Sequence, residues 1–283
     1  MSTEGPAAAA ARLTGRAVTS VRPRSGSIAE AVLDGGDVVV VKRGHGRNAI
    51  AAEAAGLRWL AEPGVVRIPV VRGHDDDWLV LDRVDSRRPR EQAAARLGRG
   101  LACLHAAGAP AFGAAPPGGP AEAWIGLAPM SNTPAADWPP WYAEHRVLPY
   151  VRRAVDEGTL DVDEASIIER LCRRLPDLAG PAEPPARLHG DLWNGNVVWD
   201  RREAWLIDPA AHGGHRETDL AMLALFGCPQ LDRLLGAYQE VAPLADGWAE
   251  RIALHQLFPV LVHAVLFGRS YAVQAVTIAR SFG

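Results

Sequence analysis

Two carboxylates and one amide constrain the fold of this chain more tightly than any other feature. Asp191 and Asn196 lie five residues apart in the segment Leu188-His189-Gly190-Asp191-Leu192-Trp193-Asn194-Gly195-Asn196. Val197-Val198-Trp199 and Ala204-Trp205-Leu206-Ile207 follow, around Asp200-Arg201-Arg202-Glu203, in the pattern of a β-hairpin. A hairpin folds back on its own start, so Asp208 at its far end returns to the loop that holds Asp191. Phosphoryl transfer uses such a set. One carboxylate orients a hydroxyl and accepts its proton, while an amide and a second carboxylate hold Mg²⁺ against phosphates. Asp191 is the candidate base, and Asn196 and Asp208 are the candidate metal ligands.

The phosphate contact comes from composition. Of the 30 Lys plus Arg residues, Lys42 is the only lysine. A compact ammonium on a flexible stem does what a planar guanidinium cannot, and phosphate binding is a common use of it. Lys42 ends the β-branched run Val38-Val39-Val40-Val41, which reads as a buried strand after the turn signal Asp34-Gly35-Gly36-Asp37. A helix over 49–61 follows, with Glu53, Leu57 and Leu60 near one face. A carboxylate on an apolar face needs a partner, and a strand lysine paired with a helix glutamate is the device that kinases use to hold the α- and β-phosphates.

The remaining elements arrange themselves around these groups. Ser25 to Val32 reads as a small-residue loop entering a strand, a hairpin able to lie over phosphates. Val65 to Val71 and Trp78 to Leu81 read as strands separated by Asp75-Asp76-Asp77. Asp82, Arg83 and Val84 then stand where a hinge would offer backbone groups to adenine. Helices are predicted over 91–107, 141–157, 162–175, 217–226, 231–241 and, with breaks, 247–280. The Pro- and Gly-rich stretch 109–140 carries Trp124 and Trp138, whose rings favour burial, so it reads as an ordered loop or short hairpin over a site. The expected architecture is α+β and bilobal: a β-rich nucleotide-binding lobe over 1–84, and a mostly helical catalytic and acceptor-binding lobe over 85–283.

Several classes are disfavoured. A formal charge of -3 gives no basic footprint for nucleic acid. No run of consecutive apolar residues approaches a membrane span, and Met1 to Gly15 has neither the n-region nor the h-region of a signal peptide. Cys103, Cys172 and Cys228 are scattered and odd in number, as expected of a reduced cytoplasmic protein. A monomer is the expectation. A metallohydrolase built on His189, Asp191, His212 and His215 would leave Lys42, Glu53 and Asn196 unexplained, and a non-catalytic nucleotide binder would be expected to lack one of Lys42, Asp191, Asn196 or Asp208.

The loop 188–196 resembles that of the fructosamine kinases, or ketosamine 3-kinases, relatives of the aminoglycoside and choline phosphotransferases with a protein-kinase-like fold. Ile207-Asp208-Pro209-Ala210 and Gly214-His215-Arg216-Glu217-Thr218-Asp219-Leu220-Ala221 are similar to family segments, as are Ile125-Gly126, Asn132, Arg146 and the stretch from Gln256 to Tyr271. The resemblance implies ATP- and Mg²⁺-dependent phosphorylation of the 3-hydroxyl of a ketosamine, free or protein-bound, whose adduct then releases the amine. It implies that Trp193, Glu217 and His263 meet the acceptor. Around His263 the chain has Val262, Val265 and Leu266 where the family often has polar residues, which predicts a more apolar far wall. Another phosphotransferase of the same fold, acting on an aminoglycoside or choline, is the alternative.

Overall fold

Alternation of buried and exposed side chains shapes the first third of the molecule, for which, as for the rest, the computed structural model describes residues 4–200 and 202–283. Strands β1 (Val18–Ser25), β2 (Ile28–Leu33), β3 (Val38–Arg43), β4 (Val71–His74) and β5 (Trp78–Asp82) form an antiparallel sheet in the order β1-β2-β3-β5-β4. Two helices cover it, α1 (Pro6–Thr14) and α2 (Ala49–Ala61). Ala31, Leu33, Val39, Val41, Trp78 and Val80 face Ala9 and Ala10 of α1. Leu79 and Leu81 join Ile50, Leu57 and Leu60 of α2 on the other side. Because successive strand residues point to opposite faces, Lys42 leaves the α1 side that Val41 occupies and turns toward α2. Helix α1 has no counterpart in the sequence expectations, although Pro6 in its first turn and the left-handed Gly15 at its end are start and stop signals.

The strand expected over Val65 to Val71 is a correction. Regular pairing begins only at Val71. Pro69 has no amide hydrogen to give a ladder, and the segment before it crosses to the later hairpin instead, where Arg67 O accepts the amide of Leu206 at 2.9 Å.

After the crossover come α3 (Glu91–Ala106) and a hairpin of β6 (Glu122–Ile125) and β7 (Ala128–Ser131) within the Pro-rich stretch, as expected there. The helix expected over 141–157 is three pieces: α4 (Trp138–Tyr142), a π-helical turn at Ala143–Val147, and α5 (Leu148–Asp156). Then follow α6 (Val162–Leu178), β8 (Ala186–Leu188), β9 (Val197–Trp199), β10 (Ala204–Leu206), β11 (His212–Gly214), α7 (Arg216–Leu225), α8 (Leu231–Gln239), α9 (Trp248–Phe267) and α10 (Arg269–Ser281). β9 and β10 form the expected hairpin, while β8 pairs with β11, a contact not foreseen. Gly268 at φ +91° breaks the last helical stretch. By length and composition α9 could cross a membrane, a property that the count of consecutive apolar residues missed; here it packs between α7 and α10 in the protein core. One core cluster runs from Leu57 and Leu81 through Leu97 and Leu101 of α3 to Val197 and Leu206 of the hairpin, so both expected lobes contribute to it.

Candidate active site

The three groups first singled out in the sequence meet. Asn196 Nδ2 donates to Asp191 O at 2.8 Å and to Asp191 Oδ2 at 2.9 Å, and reaches Asp208 O at 3.5 Å. A short 3₁₀ turn at Asn194–Asn196 swings the amide back over the loop, and β9–β10 returns the chain to Asp208. Asp208 itself is left-handed at φ +52°, a conformation that costs a non-glycine residue energy and concentrates at functional sites. His189 closes the loop: its Nε2 donates to Ile207 O at 2.9 Å, and its Nδ1 accepts the Asp191 amide at 3.3 Å. Gly190 stands at φ +82°, and a Cβ there would lie 2.1 Å from Ala210 O. The close approach of loop and hairpin end therefore requires glycine at that position.

Asp219 fixes this loop from below, and the sequence reading assigned it no role. Its two oxygens accept the backbone amides of His189 at 2.8 Å and Gly190 at 2.9 Å. His105 Nε2 adds a contact at 3.3 Å, and Tyr238 holds the other ring nitrogen of His105 at 2.9 Å. Burial alone would raise the Asp219 carboxyl; the donors around it outweigh that and hold it below the ordinary carboxylate range. The available signal was an acid inside the apolar run Asp219-Leu220-Ala221-Met222, which must find buried donors.

Lys42 joins the two halves. Its Nζ lies 2.7 Å from Glu53 Oε2 and 3.1 Å from Asp208 Oδ1. Burial opposes the charge on Lys42, but the two carboxylates prevail and push the ammonium up to about 12. Asp191 moves the other way from an ordinary carboxylate: burial first, then the like charges of Asp208 and Asp219, raise it to about 7 despite the Asn196 bond.

These groups open onto a cleft of about 290 Å³ lined by Lys42, Glu53, Asp191, Asn196 and Asp208. Trp193 and His263 also line it, with Val262, Leu266 and Phe267 supplying an apolar wall. Phe226 links the two, its ring edge-on to Trp193 at 6.0 Å and 4.8 Å from His263.

Two expectations change. Glu217 does not reach the cleft. It is 3% exposed, paired with Arg251 at 2.6 and 2.9 Å and close to His255 at 3.2 Å, because α7 turns it into the body of the molecule. Asp82, Arg83 and Val84 border a separate hollow beside Asp200 and Trp205 rather than the main cleft. The Asp82 carboxylate is held by Arg72, and the Arg83 amide donates to Val38 O at 3.3 Å, which removes that amide from any hinge role. The metallohydrolase set is not assembled either. His189 and His212 are each bonded to a backbone carbonyl, and the one cluster of potential metal ligands among the described residues is the buried His215, Glu217 and His255.

A family model described as fructosamine kinase matches residues 17–282. A cyanobacterial protein from Synechocystis, described as a "probable ketoamine kinase", is 33% identical over 230 residues, which is 79% of this chain and 75% of that one. The crystal structure of a "putative fructosamine-3-kinase" from Thermobifida fusca superposes with a TM-score of 0.92 at 48% identity, over 97% of each chain. The streptomycin–ATP–APH(2″)-IIa ternary complex shares the fold alone, with a TM-score of 0.62 at 12% identity over 99% of this chain and 97% of that one. The fold is protein-kinase-like.

Proposed function

The chain belongs to the fructosamine kinase family, and we propose that it transfers the γ-phosphoryl group of ATP to the 3-hydroxyl of a ketosamine. The observation that carries this reading is the meeting of Lys42, Asp191, Asn196 and Asp208 at one cleft. Residues 1–84 act as the nucleotide lobe, and residues 85–283 supply the base and the acceptor site.

Asp191 accepts the proton of the sugar hydroxyl as its oxygen bonds to the γ-phosphorus and the bond to ADP breaks. A carboxyl raised to about 7 is matched to that task near neutral pH. Lys42, held charged by Glu53 and Asp208, meets the phosphates. Asn196 commits its Nδ2 to Asp191 and presents Oδ1, while Lys42 engages one oxygen of Asp208 and leaves the other. An all-oxygen donor set suits a hard cation, so these two side chains would hold Mg²⁺. The chemistry a bound Mg²⁺ supplies is charge neutralisation at the phosphates. Adenine would take backbone groups of Asp82, Arg83 and Val84 other than the Asp82 and Arg83 amides, which donate to Val70 O and Val38 O. Trp193 and His263 flank the sugar and its amine, and the apolar wall disfavours a polycationic acceptor. The phosphorylated adduct then releases the amine.

The test is ATP consumption over a panel of ketosamines, free and peptide-bound, with Asp191→Asn as control. Turnover of ketosamines that disappears in the variant is the expected result. Turnover of an aminoglycoside or choline but of no ketosamine overturns the substrate assignment, and full activity in Asp191→Asn overturns the mechanism.

A further inference from the structure

Arg146 is the largest fully buried side chain, 1% exposed, and no carboxylate lies within ion-pair distance of it among the described residues. The π-helical turn at Ala143–Val147 carries it inward, and such turns recur at functional sites. Its guanidinium lies over the rings of Trp141 and Phe258, with centroids at 4.5 and 5.6 Å. Its hydrogen bonds go to neutral oxygens: Nη1 to Ser131 O at 2.7 Å and His145 O at 3.1 Å, and Nη2 to Asn132 Oδ1 at 3.0 Å. Burial draws its pKa down to about 10, so it remains a cation at neutral pH.

The Asn132 side chain is thereby fixed in one orientation. Arg146 takes its oxygen, and its backbone amide donates to Ala121 O at 2.7 Å. Asn132 is 2% exposed and lines the cleft, yet its Nδ2 has no hydrogen-bond partner among the described residues. A buried donor left unpaired costs free energy that a bound oxygen would recover. The cation behind the amide also polarises it toward a stronger donor.

Resting on the ketosamine reading above, we propose that Asn132 is an acceptor-binding residue. Its Nδ2 donates to an oxygen of the sugar that itself accepts, and Arg146 is the positioning residue that sets the amide's orientation. Sugars whose oxygen at that point is missing or replaced by hydrogen are discriminated against, because they leave the donor unpaired.

The experiment is steady-state kinetics in both substrates for Asn132→Leu, Asn132→Asp and Arg146→Lys. Melting temperature and its rise with ATP verify the fold of each. Asn132→Asp keeps a partner for Arg146, and so keeps the fold if the apolar variant does not, while removing the N–H. The expected result is an acceptor KM raised about tenfold or more in both Asn132 variants, with the KM for ATP within about twofold of the parent. Arg146→Lys, which keeps the charge but not the fork, raises the acceptor KM while kcat stays within about threefold. A folded Asn132 variant with unchanged acceptor KM overturns the proposal, as does a rise in the KM for ATP that parallels the rise for the acceptor. If the parent protein phosphorylates some other hydroxyl compound instead of ketosamines, the ketosamine reading fails. The same comparison on that compound then decides the role of Asn132.

Discussion

The carboxylate of Asp219, on α7, accepts the backbone amide of Gly190 at 2.9 Å, one residue before the candidate base. Its second oxygen is taken by the His189 amide, so both oxygens are acceptors facing backbone donors. Asp219→Asn would turn an N–H toward one of those amides. Loss of a buried, charge-assisted bond of this kind is expected to cost about 2–3 kcal/mol. It should also lower kcat at least about tenfold, since a displacement of about 1 Å at a reacting group can cost about 100-fold. Urea denaturation and initial rates test the two effects separately.

Gly190 makes the complementary prediction. Gly190→Ala places a methyl group 2.1 Å from Ala210 O at a left-handed φ. Each strained residue costs about 1–3 kcal/mol before the clash is counted. The variant should melt earlier and lose nearly all transfer activity, because the loop end at Asp208 must move. An alanine variant with parental melting temperature and kcat would show that the hairpin end yields freely.

As the proposed base, Asp191 is expected to set the pH dependence. A base must be unprotonated to act, so kcat/KM is expected to fall about tenfold per pH unit below about 7 and to level off above it. The stability consequence has the opposite sign. A carboxyl raised by folding binds its proton more tightly in the folded state, so stability falls as pH rises from the unfolded value through about 7. Asp191→Asn should therefore abolish turnover yet raise the melting temperature at pH 8 relative to the parent. A flat rate profile between pH 5 and pH 8 would count against the assignment.

The buried histidines act in acid. His189, His212, His215 and His255 are held below the ordinary imidazole range, chiefly by burial, and His212 falls to about 3. For a depressed pKa the unfolded chain takes the proton first. The stability contributed is fully present above pH 6.5 and is lost as pH falls toward the folded value, by about 1.4 kcal/mol per pH unit for His212. The urea midpoint should drop steadily from pH 6.5 toward pH 4, and His212→Gln should make that slope shallower.

The groups proposed to touch the reaction were legible because their chemistry leaves few alternatives. Asp191, Asn196 and Asp208 are tied by one short hairpin, and Lys42 stands out in an arginine-rich chain. Glu53 followed from the same helix that the structure contains. What stayed hidden depends on contacts between distant segments. Nothing in Val65 to Val71 announces that Arg67 will pair with Leu206, and β-branched residues alone read as a strand. Glu217 looked like a site residue because it sits beside motif positions, but helix phase sends it toward Arg251. Asp219 and Asn132 were both within quoted segments; their roles lie in which donors and acceptors surround them, and that is a property of the packed core.

Lys42 has a last consequence. Reducing sugars condense with amines through the nitrogen lone pair, which a protonated ammonium lacks. The only lysine in the chain is clamped between Glu53 and Asp208, mostly shielded, and pushed up to about 12. Every other strongly basic side chain is a guanidinium. A protein whose proposed substrates are sugar adducts of amines thus offers no free ε-amine on its own surface where such an adduct could form. Among side chains, the primary-amine chemistry that forms ketosamines is confined to one shielded ammonium.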